Sequence, residues 1–194
     1  VVYPFGYGLS YTTFDVETVS AGVVNSNCTS EANKLYAKVR VTNTGKFSGK
    51  EVVQVYIAKP QGKLGKPAKE LAAFEKTREL QPGESQLMIL TWEINDMASY
   101  DDLGKVKKSA YVLEAGSYDI YVGTSVRDVT KADYSYILNH DVITEQLSAK
   151  LVPTSLPKRM LADGSYEALP QSEPVDTDYS AIGNIDPSLT EGVA

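Results

Sequence analysis

The sequence predicts an all-β fold in which two antiparallel sheets pack as a sandwich. The first observation is a succession of short segments in which apolar and polar residues alternate, with turn-forming residues between them. The second is that no long helical pattern occurs before residue 140. The third is Gly116-Ser117-Tyr118, which enters an alternating segment in the manner of a tyrosine corner. Such a corner, whose phenol bonds back to the backbone at a strand crossover, is typical of immunoglobulin-like sandwiches.

Seven strands account for the alternating segments. We predict them at residues 12–20, 35–42, 49–58, 71–77, 85–93, 113–123 and 132–138. The apolar residues of one parity should face the core, namely Phe14, Val16, Leu35, Ala37, Val39, Val41, Val53, Val55, Ile57, Met88, Leu90 and Trp92. Pro82-Gly83 predicts a type II turn before the fifth strand. Trp92, the lone tryptophan, is interpreted as a core anchor rather than a platform for stacking sugars.

An aromatic and glycine-rich segment precedes the first strand. We call residues 1–13 the strap. Its large rings would be poorly placed on a free terminus, because each can bury roughly 150–250 Å² against another surface. Gly6 and Gly8 permit close approach between the rings. We therefore predict that the strap docks on a surface outside this chain, with contacts from Tyr3, Phe5, Tyr7, Leu9 and Tyr11.

The strap also carries a family resemblance. Pro4-Phe5-Gly6-Tyr7-Gly8-Leu9-Ser10-Tyr11-Thr12-Thr13-Phe14 is similar to the segment with which glycoside hydrolase family 3 enzymes, the β-glucosidases and β-xylosidases, leave their α/β sandwich domain and enter a fibronectin type III-like domain. Two further stretches resemble that domain, Asn43-Thr44-Gly45 with Gly49 to Tyr56, and Pro67 to Lys76. The resemblance covers about residues 2–138 and implies an immunoglobulin/fibronectin type III-like antiparallel β-sandwich with an N-terminal aromatic strap and an extended C-terminal tail.

The resemblance implies an accessory function. In that family the catalytic residues lie in other domains, so we expect no catalytic residue here and no enzyme activity of this chain alone. The parent would be a retaining glycoside hydrolase of the β-glucosidase type, and the partners of this chain would be its catalytic domains. Lys69 and Glu70 fall in a family motif and are predicted to join the docking contacts. In members with rearranged domain order the chain would be internal, followed by a linker.

Composition excludes several classes of function. All 19 Lys and Arg residues lie at or before Arg159, where 18 acidic residues leave a charge of +1, so the seven acidic residues beyond it account for the negative net charge of −6. We expect no nucleic-acid partner, since the globular part has no basic surface and the tail is acidic. We also expect no membrane partner, because no apolar run approaches 18 residues. The single cysteine, Cys28, favours a cytoplasmic over a secreted protein, although a fragment does not determine the compartment.

Composition also divides the chain. We predict the end of a preceding α/β domain at 1–13, the β-sandwich at 14–140, and a linker, extended or partly disordered, at 141–194. The linker prediction rests on Pro153, Pro157, Pro170, Pro174 and Pro187, on few large apolar groups, and on the absence of cations beyond Arg159.

Other chemistry finds little support. Asp101-Asp102 with Asp96 could bind calcium but lacks a known loop spacing, so a polar turn is preferred. His140, the only histidine, cannot form a zinc site with Cys28 alone. Asn27-Cys28-Thr29 fits a glycosylation pattern that chance also explains. No cofactor and no metal site are predicted.

The lysine-rich loop 59–69 and exposed tyrosines leave an alternative open. Lys63, Lys66 and Lys69 could reach a neighbouring catalytic domain or its substrate, although a solvated loop is the preferred interpretation. The alternative to a scaffold is a carbohydrate-binding module that uses exposed tyrosines. Its candidate contacts are Lys63, Tyr100 and Tyr121, with oligosaccharide as the partner.

Overall fold

The computed structural model describes residues 2–24, 33–148, 157–161 and 163–168. Within these residues the chain forms twelve strands and one 3₁₀ turn at Asn95–Met97. The strands are β1 (Phe14–Val23), β2 (Lys34–Asn43), β3 (Val52–Ala58), β4 (Glu70–Lys76), β5 (Ser85–Glu93), β6 (Ser99–Asp101), β7 (Ala110–Leu113), β8 (Gly116–Gly123), β9 (Val129–Leu138), β10 (Val142–Gln146), β11 (Lys158–Met160) and β12 (Tyr166–Ala168).

Two antiparallel sheets form the sandwich. The first has the order β1-β2-β5 and the second the order β4-β3-β8-β9. A small third sheet, β10-β7-β6, and the hairpin β11-β12 accompany them. The predicted fold class, an all-β antiparallel sandwich, is therefore confirmed.

The core lies between the two main sheets and includes the predicted residues of β2, β3 and β5, while Phe14 and Val16 are half-buried and pack against it. Every predicted inward position on β2, β3 and β5 is buried. Leu35 lies opposite Trp92, and Ala37 opposite Leu90, so the apolar parities of β2 and β5 share one face. Trp92 belongs to the main cluster, as expected for a core anchor.

Turn chemistry also agrees with the sequence. The amide of Glu84 donates to the carbonyl of Gln81 at 2.9 Å across Pro82-Gly83, and Gly83 has φ +79°. A positive φ at the third position is the mark of a type II turn. The Tyr118 phenol donates to the carbonyl of Glu114 at 2.8 Å, which completes the predicted tyrosine corner. Burial raises the pKa of that phenol above its ordinary value, so it stays a donor.

The strand count differs from the prediction. Among the described residues β6, β7, β10, β11 and β12 were not predicted as separate strands. They are three to five residues long, so the alternation of apolar and polar residues is too short to identify them as strands. β10 and the hairpin fall within 141–194, where we predicted a linker; the domain boundaries themselves stay a prediction. Cys28 and the Asn27-Cys28-Thr29 pattern lie outside the described residues, as does the chain beyond residue 168.

Candidate functional site

The strap is held by its backbone at Phe5 and Gly6. The amide of Val126, in the turn after β8, donates to the carbonyl of Phe5 at 3.0 Å. The Gln54 side chain on β3 donates to the carbonyls of Gly6 at 3.1 Å and Thr124 at 2.6 Å. Gln54 thus ties the strap and the β8–β9 turn to the second sheet.

Gln54 is itself fixed from two sides. The Tyr56 phenol donates to its Oε1 at 2.5 Å, and the Phe5 ring meets the Tyr56 ring edge-on, with centroids 6.5 Å apart and planes at 83°. Gly6 has φ +78°, and a Cβ there would lie 2.0 Å from Gln54 Oε1. Glycine is therefore required at this position, both for the backbone conformation and for the close approach.

The other end of the strap is anchored at Thr12. Its hydroxyl donates to Oδ1 of Asn43 at 2.8 Å, and the Asn43 amide donates to the carbonyls of Phe47 and Leu80, each at 2.8 Å. Asn43 is fully buried, so this contact is shielded from water. The strap is therefore held through backbone carbonyls at Phe5 and Gly6 and through a side chain at Thr12.

The side chains of the strap face solvent. Tyr3, Phe5, Tyr7, Leu9 and Tyr11 have exposed fractions between 48% and 98%. Tyr3 and Tyr7 stack on each other, with centroids 5.3 Å apart and planes at 24°. An anchored backbone with outward rings is an unusual arrangement for a soluble surface, because contiguous apolar patches usually mark interaction sites.

A cavity of about 310 Å³ lies between the strap and the edge of the second sheet. Tyr7 and Leu9 line it from the strap, and Lys50, Lys76 and Asp128 line it from the sandwich. The strap therefore bridges over a polar recess instead of lying flat on the domain.

Lys69 and Glu70 have partners inside the domain. The ammonium of Lys69 lies 4.7 Å from the centroid of the Tyr121 ring and 3.5 Å from the carbonyl oxygen of Val126. Glu70 pairs with the buried Lys59 at 2.5 Å. Lys69 thus supports the same turn that holds the strap, and a direct docking contact from either residue stays a prediction.

The loop 59–69 is locked by a buried ion pair. Lys66 and Glu114 bond to each other, and their side chains are only 2% and 3% exposed. Lys66 also donates to the carbonyl of Pro60 at 2.6 Å, and the carboxylate of Glu114 accepts the amides of Lys63 and Leu64. Lys66 is consequently unavailable to a neighbouring domain, because its charge is buried. The sequence did not indicate this pairing.

The three candidate carbohydrate contacts do not form one platform. Lys63 pairs with Asp141 at 2.9 Å; this bond raises the pKa of Lys63, while the Ala115 amide and Lys63 lower that of Asp141. Tyr121 lies beneath Lys69. Tyr100 instead packs against Tyr111, which sequence reasoning missed.

Asp101 holds a loop together. Both of its carboxylate oxygens accept backbone amides, from Gly104 and Lys105 on one side and from Val106 and Lys107 on the other, at 2.7–3.0 Å. Burial alone would raise its pKa, but the four N–H groups outweigh burial and hold the pKa of Asp101 below its ordinary value. Within the described part of the chain no group of His, Cys, Asp and Glu is arranged to hold a metal, and no helix suited to crossing a membrane is found.

Sequence reasoning also missed Gln54 and Phe74. Gln54 interrupts the apolar run of β3 within a stretch that resembles the family domain, but neither signal indicated that it contacts the strap. Phe74 lies opposite Gln54 in the β3–β4 register and is exposed, so it extends the apolar surface of the strap across the same face.

Comparison with known proteins connects this architecture to one group of enzymes. A family model described as a fibronectin type III-like domain matches residues 51–126. β-Glucosidase A of Butyrivibrio fibrisolvens is 59% identical over 190 residues, which cover 94% of this chain and 23% of that protein. A β-glucosidase of Ruminococcus albus is 42% identical over 177 residues, covering 89% of this chain and 18% of that protein.

A solved structure agrees with the sequence matches. The crystal structure of a β-glucosidase from Paenibacillus barengoltzii superposes with a TM-score of 0.76 at 42% identity, covering 89% of this chain and 20% of that one. The chain therefore spans less than a quarter of the length of the curated relatives described above.

Proposed function

Because this chain carries the fibronectin type III-like domain of a glycoside hydrolase family 3 enzyme, we propose that it is a non-catalytic accessory domain of a β-glucosidase. It docks through the strap on the catalytic domains of a longer polypeptide and stabilises their arrangement.

The observation that carries the proposal is the strap itself. Its backbone is fixed by Val126 and Gln54 and its Thr12 hydroxyl by Asn43, while its rings remain exposed. A segment ordered in this way loses little further entropy on binding, which favours association. Burying half of the exposed ring surface would contribute several kcal/mol, at about 25 cal/mol per Å².

The buried acids support a structural role. A retaining glycosidase uses two carboxyl groups about 5–5.5 Å apart as nucleophile and acid/base. Asp101 and Glu114, the two buried acids of the described residues, have their oxygens bound to backbone amides and to Lys66. These contacts assign both carboxylates to holding loops.

The test compares the same change in two contexts. Tyr3→Ser with Tyr7→Ser is introduced into this chain alone and into the full-length polypeptide, and thermal unfolding is followed by calorimetry. We expect little change in the isolated chain, because the rings are exposed there, and a lowered unfolding temperature with reduced aryl β-glucoside hydrolysis in the full-length protein.

Tyr166→Ser serves as the matched control, because Tyr166 is an exposed tyrosine on β12, outside the strap. Equal effects of the strap change in both contexts, or none in the full-length protein, would reject docking through the strap. Hydrolysis by the isolated chain that survives purification controls would reject the non-catalytic assignment.

A further inference from the structure

A second aromatic surface lies on the small sheet β10-β7-β6. Tyr100 on β6 and Glu145 on β10 both lie opposite Tyr111 on the central strand, so the three side chains form a row across one face. The two rings are 5.5 Å apart between centroids, with planes at 55°, and remain 39% and 37% exposed. They form a twisted platform open to solvent.

The platform borders a cleft of about 400 Å³. Tyr111 and Glu145 line it from the sheet, and Asn95 and Asp96 line it from the 3₁₀ turn. A β-bulge between Ile143 and Glu145 shifts the register of β10 beside the cleft. Bulges of this kind redirect side chains and are frequent next to binding sites.

The lining selects a class of ligand. Tyrosine offers a flat apolar face and a polar tip, while an amide and two carboxylates supply directed donors and acceptors. The lining brings two carboxylates, Asp96 and Glu145, and no Lys or Arg among its described residues, so an anionic ligand would be repelled. A neutral molecule with a flat apolar face and a rim of hydroxyl groups satisfies both features.

We propose that this cleft binds a neutral oligosaccharide, with the Tyr111 and Tyr100 rings stacked on sugar units and with Asn95, Asp96 and Glu145 bonded to hydroxyl groups. This site differs from the carbohydrate contacts predicted from the sequence, because it shares only Tyr100 with them. Lys63 and Tyr121 have other neighbours.

The cleft and the strap occupy opposite ends of the sandwich. β7, which carries Tyr111 of the platform, ends just before β8 begins at Gly116, whereas the strap accepts a hydrogen bond from Val126, after β8 ends. An eight-residue strand separates the two surfaces by about 25 Å, at about 3.3 Å per residue. Oligosaccharide can therefore bind while the strap is docked, and the proposal does not rest on the docking role.

The test titrates the full chain with cellotetraose and xylotetraose, with tri-galacturonate as an anionic comparison. Isothermal titration gives the affinity, and shifts of the backbone amide signals of Tyr100, Tyr111 and Glu145 locate the site. We expect saturable binding of at least one neutral tetrasaccharide and none of tri-galacturonate. Tyr111→Ala should weaken binding about tenfold or more.

Two further variants separate binding from folding. Asp96→Ala alters an exposed side chain of the 3₁₀ turn and should weaken binding without changing the unfolding temperature. Tyr11→Ala removes an exposed strap ring and should leave the affinity unchanged. The proposal is overturned if neither neutral tetrasaccharide binds. It is also overturned if folded Tyr111→Ala and Asp96→Ala variants bind as tightly as the wild type, or if Tyr11→Ala weakens binding as much as they do.

Discussion

Replacing Glu114 by Gln should destabilise the domain strongly, although the two side chains have nearly the same shape. Glu114 carries the charge that balances the ammonium of Lys66 in the interior, and both side chains are almost fully buried. After the replacement, the ammonium of Lys66 keeps as partners only the Pro60 carbonyl, at 2.6 Å, and the neutral amide of the new glutamine. The charge of Lys66 would then be buried without a counterion.

The magnitude follows from that burial. Removing one partner of a buried ion pair costs about 3–5 kcal/mol, mostly because the remaining charge is desolvated and unpaired. Lys66→Met in the Glu114→Gln background removes that charge, so the double variant should recover most of the lost stability. The coupling energy of the double-mutant cycle should accordingly be several kcal/mol and favourable.

The assay is equilibrium unfolding in urea, applied to the wild type, the two single variants and the double variant. The dependence of the unfolding free energy on urea concentration should be the same for all four proteins. Lys63→Met is the matched control, because Lys63 lies in the same loop as Lys66 and pairs with Asp141 but is largely exposed. Its loss should cost less than about 1 kcal/mol.

A cost of Glu114→Gln no larger than that of Lys63→Met would refute the argument from burial. A double variant that is less stable than Glu114→Gln would refute it as well, since the unpaired charge would then not be the source of the instability.

Two further changes test the contacts that hold the strap and the loop that follows β6. Gly6→Ala should lower the unfolding free energy by about 1–2 kcal/mol, since alanine disfavours φ +78° and its Cβ would lie 2.0 Å from a side-chain oxygen. It should also speed hydrogen exchange of the Val126 amide, whereas Gly8→Ala should do neither, because a Cβ added at Gly8 would meet nothing within 4 Å beyond its chain neighbours. Asp101→Asn should destabilise the chain at neutral pH, and the difference from wild type in unfolding temperature should shrink on acidification. The pKa of Asp101 is lowered in the folded state, so its contribution is complete above about pH 4, the ordinary range for Asp, and is lost as the pH falls through the folded value. A difference that stays constant from pH 7 to about pH 2 would contradict this reasoning.

The core could be predicted from the sequence because its signals are local. Alternation along one strand placed Leu35, Ala37 and Val39 inside, and their neighbours on β5 followed the same parity. The tyrosine corner was equally local, since Tyr118 bonds four residues back, to Glu114. In each case the sequence spacing and the spatial contact coincide.

The site was harder to predict because its contacts span long sequence separations. Lys66 was expected on a solvated loop, and its burial depends on Glu114, 48 positions away. Alternation indicated that the Gln54 side chain points away from the core. The strap nevertheless buries that side chain, which donates to Gly6, also 48 positions away in the sequence. The cleft depends on Tyr111 and Glu145, which meet through short strands that carry no periodic signal.

The same physical arrangement recurs at three segments of the domain. The buried amide of Gln54 donates to the strap, the buried carboxylate of Glu114 accepts from the loop 59–69, and the carboxylate of Asp101 accepts from the loop that follows β6. A buried polar group without partners is costly, so each of these side chains strongly favours one loop conformation. The apolar core alone would leave these segments free to move. We therefore expect a few buried polar residues to fix the conformation of the strap and of the loop beside the tyrosine platform, and their replacement to affect the two surfaces that we propose for binding.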